Sequence, residues 1–364
     1  MQSSSRKLLV VLIGLLALGF VVYRSSGMIS LADFSGAKLL HAVRSADPLL
    51  LILSIVAIYG CYALRSLRWR VFQRNLGPSR FGPIYAMTLA GFAAVFLLGR
   101  AGEPVRPLLL ARKEKLPIAD LFGIYALERL FDLASAAVIA AIGLLLFQSR
   151  GHLGDTAGKL ETAARTTGSL LFAGVAGAIV FLLYLRLHGS ALLERRLQGW
   201  VIARGWRGKV AGILLGFARG VQAIQTWSDL ALSLFYSAAH WLLVLFVYVW
   251  VSHSFGGTLG TISLGDAMLV MAFTLVGSAV QLPGVGGGSQ VASFLAYTTV
   301  FGVEKEAAAA ASIVMWLITF AACSLAGVPL LIHEGFSLGK LREMAEHEKV
   351  AAVKNAARQG ESAR

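Results

Sequence analysis

Eight apolar runs, each about long enough to cross a hydrocarbon core, limit what this chain can fold into. They lie at roughly 8–23, 48–64, 81–98, 119–147, 169–187, 230–252, 266–282 and 308–332. A membrane-spanning helix needs about 17–25 such residues. Composition agrees: of 364 residues, 57% are hydrophobic and 14% charged, and the mean hydropathy is +0.72. A soluble domain carries about 25% charged residues, so this chain has too little polar surface to cover itself. The sequence predicts an all-α integral membrane protein.

The net charge of +14 would point to nucleic acid in a soluble protein. Here it reads as basic cytoplasmic loops that set orientation and attract anionic lipid headgroups, so no nucleic-acid partner is expected. Cys61 and Cys323 both sit inside apolar runs without metal or redox spacing and read as packing residues. The N-terminal "MQSSSRKLLVVLIGLLALGFVVYRSSG" has the basic-then-apolar form of a signal peptide. No small-x-small cleavage site follows its apolar core, so an uncleaved first helix is expected.

Counting eight crossings conflicts with the charges. Residues 65–80 hold five Arg (65, 68, 70, 74, 80) and no acid, and residues 186–209 hold six Lys/Arg against one Glu. Both segments should be cytoplasmic. If 81–98 crossed fully, Arg112, Lys113 and Lys115 would face outside, and 186–209 would follow to the wrong side. The conflict disappears if 81–98 enters from the cytoplasm, turns at "GRAGEP" and returns through "VRPLLLA". By the same reasoning 266–282 enters from the outside loop 253–265, which has no Lys or Arg, turns at "PGVGGGSQ" and returns through "VASFLAYTTV". The expected architecture is six full transmembrane helices plus two re-entrant helical hairpins, with both termini cytoplasmic in a bacterial inner membrane.

The two hairpins resemble each other at an offset of 185 residues, where "AVFLLGRAGEPVRPLLLA" (94–111) lies over "AVQLPGVGGGSQVASFLA" (279–296) with seven of 18 positions identical. Residues 48–147 and 230–332 then form helix–hairpin–helix repeats of inverted topology, within a membrane domain spanning 1–335. Between 188 and 228, Arg alternates with Leu, Ile, Val and Trp, the pattern of a helix lying in the cytoplasmic interface. The charged segment 336–364 reads as a cytoplasmic tail.

Broken backbone at membrane depth is tolerated only where it is buried in protein or lines a watery cavity. The two Gly/Pro turns should therefore meet near the midplane around a polar site. Helix ends there favour anions, and Arg100 and Arg106 add positive charge suited to phosphate. Glu103 lies three residues from each and can pair with either; a structural ion cluster at the membrane surface is the alternative. In "YALERLFDLASAAVIA", Glu128 and Asp132 share a helical face and Arg129 stands three residues from Asp132. They lie about 13 Å into their run at the helical rise, where a charge costs about 2.5–3.5 kcal/mol. Two compatible roles are open to them, pinning this helix to the first hairpin and handling substrate or protons. His240 reads as a helix-to-helix hydrogen bond ahead of a proton relay. Gly284, Gly287, Ser289 and Gln290, with Gln281, line the second turn and suit hydrogen bonding to a headgroup. No phosphate-loop, zinc or nucleophile-elbow motif occurs, so no catalytic residue, metal or cofactor is expected.

"RAGEPVR" (100–106), "ERLFD" (128–132) and "LPGVGGGSQ" (282–290) together resemble the transmembrane region of lysylphosphatidylglycerol synthases, over about residues 40–335. The resemblance implies a membrane domain with re-entrant hairpins that moves lipids between leaflets. In the full-length enzymes a soluble transferase follows; here the chain ends 32 residues after the last apolar run, so aminoacyl transfer is not expected. The family's second motif usually resembles P-G-G-x-G-x-x-E, whereas Gln290 stands at the Glu position, which puts proton coupling there in doubt. The leading expectation is a flippase-like protein that translocates or binds an anionic phospholipid or polyprenyl-phosphate-linked lipid. The alternatives are a membrane enzyme using Glu128 or Asp132 as base, and an accessory subunit for a separate aminoacyl or glycosyl transferase.

Overall fold

A computed structural model of the chain describes residues 35–148, 223–278, 281–282 and 286–335, with the single positions 177, 211 and 215. The run expected at 8–23, nearly all of that at 169–187, most of the interfacial segment 188–228, and the tail at 336–364 lie outside the described residues.

Ten α-helices are described. In chain order they are α1 (Gly36–Ser45), α2 (Pro48–Gln73), α3 (Phe81–Leu98), α4 (Val105–Glu114) and α5 (Ile118–Gln148), then α6 (Trp227–Ser254), α7 (Leu264–Gly277), α8 (Gly288–Leu295), α9 (Lys305–Trp316) and α10 (Ala322–His333). Their starts follow local chemistry. The Asp47 side chain accepts the Leu49 N–H ahead of Pro48 at the first helical position of α2. Thr226 with Asp229, and Ser263 with Asp266, make reciprocal capping boxes that open α6 and α7. A π-helical turn, Leu317–Ala321, joins α9 to α10 as one apolar rod.

Among the described residues, five helices are long and apolar enough to cross a bilayer: Pro48–Gln73, Phe81–Gly102, Ile118–Leu146, Trp227–Ser254 and Lys305–His333. Leu264–Gly277 is apolar but shorter. Boundaries differ from the sequence reading: the run 266–282 is helical only to Gly277, and Gln281–Leu282 form a strand. The run 48–64 continues as helix to Gln73, so Arg65, Arg68 and Arg70 are helical residues and not loop charges. Tyr62, Ser66, Trp69 and Phe72 recur at three- and four-residue spacing and are buried. The core-facing stripe therefore carries the helix past the point where hydropathy falls.

α3 and α4 fold back on one another through a 3-10 turn at Gly99–Gly102. Glycine permits this closeness: a Cβ on Gly102 would stand 2.3 Å from the Ala94 carbonyl oxygen, and one on Gly91 would stand 2.4 Å from the Arg106 Cβ. α7 and α8 pair similarly, and a Cβ on Gly277 would stand 2.2 Å from the Gly288 carbonyl oxygen. Their tip is a two-stranded ladder, β1 (Gln281–Leu282) against β2 (Gly286–Gly287), with Gln281 opposite Gly287.

The halves exchange partners. α3 of the first half packs on α10 of the second, with Gly327 against Leu89 and Ala93; α7 of the second packs on α5 of the first, with Met268 and Leu269 against Gly143. The leading helices α2 and α6 pack on each other. Contacts between the helix ends sort the loops into two ends. At one end Gly77 meets Leu116, Arg74 pairs with Asp229, and Lys113 pairs with Glu334. At the other, the Asp47 N–H donates to the Ser254 carbonyl at 2.8 Å, Lys38 pairs with Glu304 at 3.3 Å, and Gly265 abuts Leu146. The chain thus enters and leaves the α3–α4 pair at one end, and the α7–α8 pair at the other.

Candidate functional site

The last turns of α2 carry Arg65 and Arg68 toward α5, where Glu128 and Asp132 stand four residues apart on one face. One Arg65 nitrogen (Nη2) lies 2.7 Å from Asp132 Oδ2 and 3.0 Å from Glu128 Oε1. The Arg68 Nη2 lies 2.7 Å from Asp132 Oδ1 and 3.2 Å from Glu128 Oε1. α4 supplies Arg106, which donates to Glu128 Oε2 and lies 4.2 Å over the Trp69 ring. α6 closes the cluster: Arg68 donates to Ser237 Oγ at 2.8 Å, and Arg65 Nη1 stands 3.3 Å from His240 Nε2. None of Arg65, Arg68, Arg106, Glu128 and Asp132 exceeds 9% exposure.

Burying charge is costly unless it is paired, and here pairing is close but unequal. Among the described residues, three buried guanidiniums share two carboxylates, and a fourth, Arg129, adds a 3.2 Å contact to Asp132 from a half-exposed position. The Nε atoms of all four arginines are buried without a hydrogen-bond partner. The cluster stands about 15 Å along α5 from its start. It joins four helices through side chains that favour anions with paired acceptor oxygens.

The remaining sequence-predicted residues form a separate group at the turns. Arg100 is exposed; it pairs with Glu103 at 3.0 Å and donates to the Ser278 carbonyl at the end of α7 at 3.0 Å. Glu103 also accepts from the Tyr125 hydroxyl at 2.7 Å. Glu103 therefore pairs with Arg100 and not Arg106, which turns inward. Gly287 has φ 137, a backbone conformation suited to glycine, and its N–H donates to Gln290 Oε1. Ser289 is buried and Gln290 half-buried, while Gly284 lies outside the described residues. The two tips touch through Arg100. Arg106, Glu128, Arg129 and Asp132 meet one helix pair deeper, toward α2.

Sequence reasoning missed Arg65, Arg68, Trp69 and Ser237. The signal was present for the first three: extended past residue 64, Tyr62, Arg65, Ser66, Arg68 and Trp69 keep three- and four-residue helical spacing. Ser237 carried no signal of its own. His240 makes an interhelical contact, as expected for it. Among the described residues no group of three His, Cys, Asp or Glu could hold a metal ion.

The family model described as lysylphosphatidylglycerol synthase TM region matches residues 8–327. A "UPF0104 membrane protein" of Methanothermobacter thermautotrophicus is 24% identical over 320 residues, covering 82% of this chain and 89% of that protein. The "Glycosyltransferase AglD" of Haloferax volcanii is 25% identical over 205 residues, covering 52% of this chain and 33% of that protein. No solved structure matches.

Proposed function

The chain belongs to the lysylphosphatidylglycerol synthase transmembrane-region family, and from that premise we propose that it is a flippase-like protein that binds an anionic lipid headgroup and moves it between leaflets. The observation that carries the reading is the charge imbalance at the centre of the first half, where four arginines face two carboxylates among the described residues. A buried surplus of guanidinium is a poor structural brace, because each unpaired charge inside low-dielectric surroundings is costly. It is a good receptor for phosphate.

The topology belongs to the same reading. α3–α4 and α7–α8 are re-entrant hairpins of an inverted repeat, the first entering from the cytoplasm and the second from outside. Three features support this: the partner exchange between halves, the sorting of loops to two ends, and close glycine contacts at near-equivalent positions of the 185-residue offset. The end holding Arg74, Lys113 and Glu334 is cytoplasmic, since the basic segments gather there. The tips meet through Arg100 and Ser278, so motion of one hairpin is felt by the other. The setting is the bacterial inner membrane, with the lipid tails left in the bilayer while the headgroup passes the arginines. Without a phosphate-binding loop for ATP, movement follows a lipid or ion gradient.

Reconstitution in liposomes with fluorescent anionic lipids tests the reading. The wild type should move at least one of them, and Arg106→Ala and Glu128→Gln should slow that lipid; variants that match wild type for every lipid that moves would remove the site. Single cysteines at 112–115 should label from the cytoplasm. Labelling solely from outside would remove the re-entrant topology.

A second reading has one specific support, the match to a glycosyltransferase. That match spans a third of the relative, so the shared part would be a lipid-handling module acting beside a separate transferase. Transport by the purified chain alone separates the two.

A further inference from the structure

We propose that the group held by the buried arginines is a phosphomonoester, a terminal phosphate with two ionisable oxygens, rather than the phosphodiester of a headgroup such as phosphatidylglycerol. The inference rests on the anionic-lipid reading and narrows it to a ligand class.

Charge balance and donor count both favour the monoester. Arg65, Arg68 and Arg106 place three positive charges beside the two negative charges of Glu128 and Asp132, all nearly inaccessible. Arg129, with 37% of its side chain exposed, contacts the same Asp132. Four cations less two anions leave a surplus of +2 among the described residues. A phosphodiester carries one negative charge and would leave the cluster positive. A phosphomonoester carries about −1.5 to −2 near neutral pH and presents three acceptor oxygens, which balances the surplus.

The donors agree independently. The Nε of each of the four arginines is buried without a partner, so the cluster has more N–H groups than its own carboxylates use. An arginine fork can donate two parallel bonds to phosphate oxygens. Arg129 marks the approach, because its side chain alone among the four is substantially exposed. The corresponding place in the second half has no comparable charge: Val291, Ile313, Val314 and Leu317 stand 185 residues after Arg106, Glu128, Arg129 and Asp132. The receptor is therefore one-sided, confined to the first half.

The test compares lipids that differ by one charge. Purified full-length protein is placed in phosphatidylcholine nanodiscs doped with phosphatidic acid, with phosphatidylmethanol, which is the same lipid with a methyl on the phosphate, or with phosphatidylglycerol. Bound lipid is read by native mass spectrometry. Phosphatidic acid should be retained about tenfold or more over both diesters, because one unit charge at contact distance is worth at least a decade in a partly buried site. Arg129→Gln should reduce that preference several-fold with its melting temperature close to wild type. Equal retention of the monoester and both diesters would overturn the phosphomonoester and leave lipid binding standing. Retention of none of them overturns both readings. Inorganic phosphate that raises the melting temperature in undoped discs as much as phosphatidic acid does supports the monoester chemistry and makes its source a soluble phosphate. The comparison of lipids needs no variant, so it decides even if Arg129→Gln folds poorly.

Discussion

The α3–α4 and α7–α8 pairs use one backbone device for different ends. Each is a short helical return closed by a glycine pressed on facing backbone, Gly102 on Ala94 and Gly277 on Gly288. Around the first pair the neighbouring helices carry Arg65, Arg68, Glu128 and Asp132. At the same offset the second half has Trp250, His253, Ile313 and Leu317. Its interior is instead the apolar cluster around Val251, Met271, Tyr297 and Met315, with Tyr297 hydrogen bonded to Ser252 at 2.7 Å. The difference separates what the turn needs from what the site needs. Close backbone packing is required twice, whereas charge is required once.

The largest test of that separation is Glu128→Ala. It strips a partner from three buried arginines, so it should cost about 3–5 kcal/mol, seen as a large drop in melting temperature in detergent. Ile313→Ala, at the matching position and 41% exposed, should cost roughly 1 kcal/mol or less. Similar losses would mean that the halves are not divided by charge. Next come Gly102→Ala and Gly277→Ala, each expected to cost about 1–3 kcal/mol through forced backbone movement. Here the two halves should respond alike, and tolerance at only one would break the shared device. Gln290→Ala removes the acceptor of the Gly287 N–H and should cost about 0.5–1.5 kcal/mol. Gln290→Glu keeps an acceptor, so it should retain most of the stability of the tip. The smallest effect is Arg100→Ala, an exposed pair worth about 0–1 kcal/mol. If it leaves melting unchanged yet stops lipid movement in liposomes, the contact to Ser278 belongs to the transport cycle and not to the fold.

The helices were legible because hydropathy reports them directly. The run at 81–98 appears as Phe81–Leu98, and those at 119–147 and 230–252 are within a few residues of α5 and α6. The end of α2 was not, because Arg65, Arg68 and Arg70 lower the mean hydropathy while the buried stripe continues beneath them. The same three charges had been counted with the basic loops. Arg65 and Arg68 instead turn inward, leaving Arg70, Arg74 and Arg80 to mark that end. For the site, the carboxylates Glu128 and Asp132 stood out as charges deep in an apolar run. Two of their buried partners, Arg65 and Arg68, lie 60 or more residues away in sequence, and no local pattern links them.

What the sequence by itself determined was the membrane setting, the long apolar helices among the described residues and the two glycine-rich segments at which the chain turns back. Each follows from hydropathy and backbone sterics, which act over a few turns. Only the tertiary structure decided which arginine serves which acid. Glu103 was equally spaced from Arg100 and Arg106, and the packing of α4 against α2 and α5 sent one outward to Ser278 and the other inward to Glu128. Ion pairing depends on distances of a few ångströms between helices, and the order of residues along a chain does not contain them.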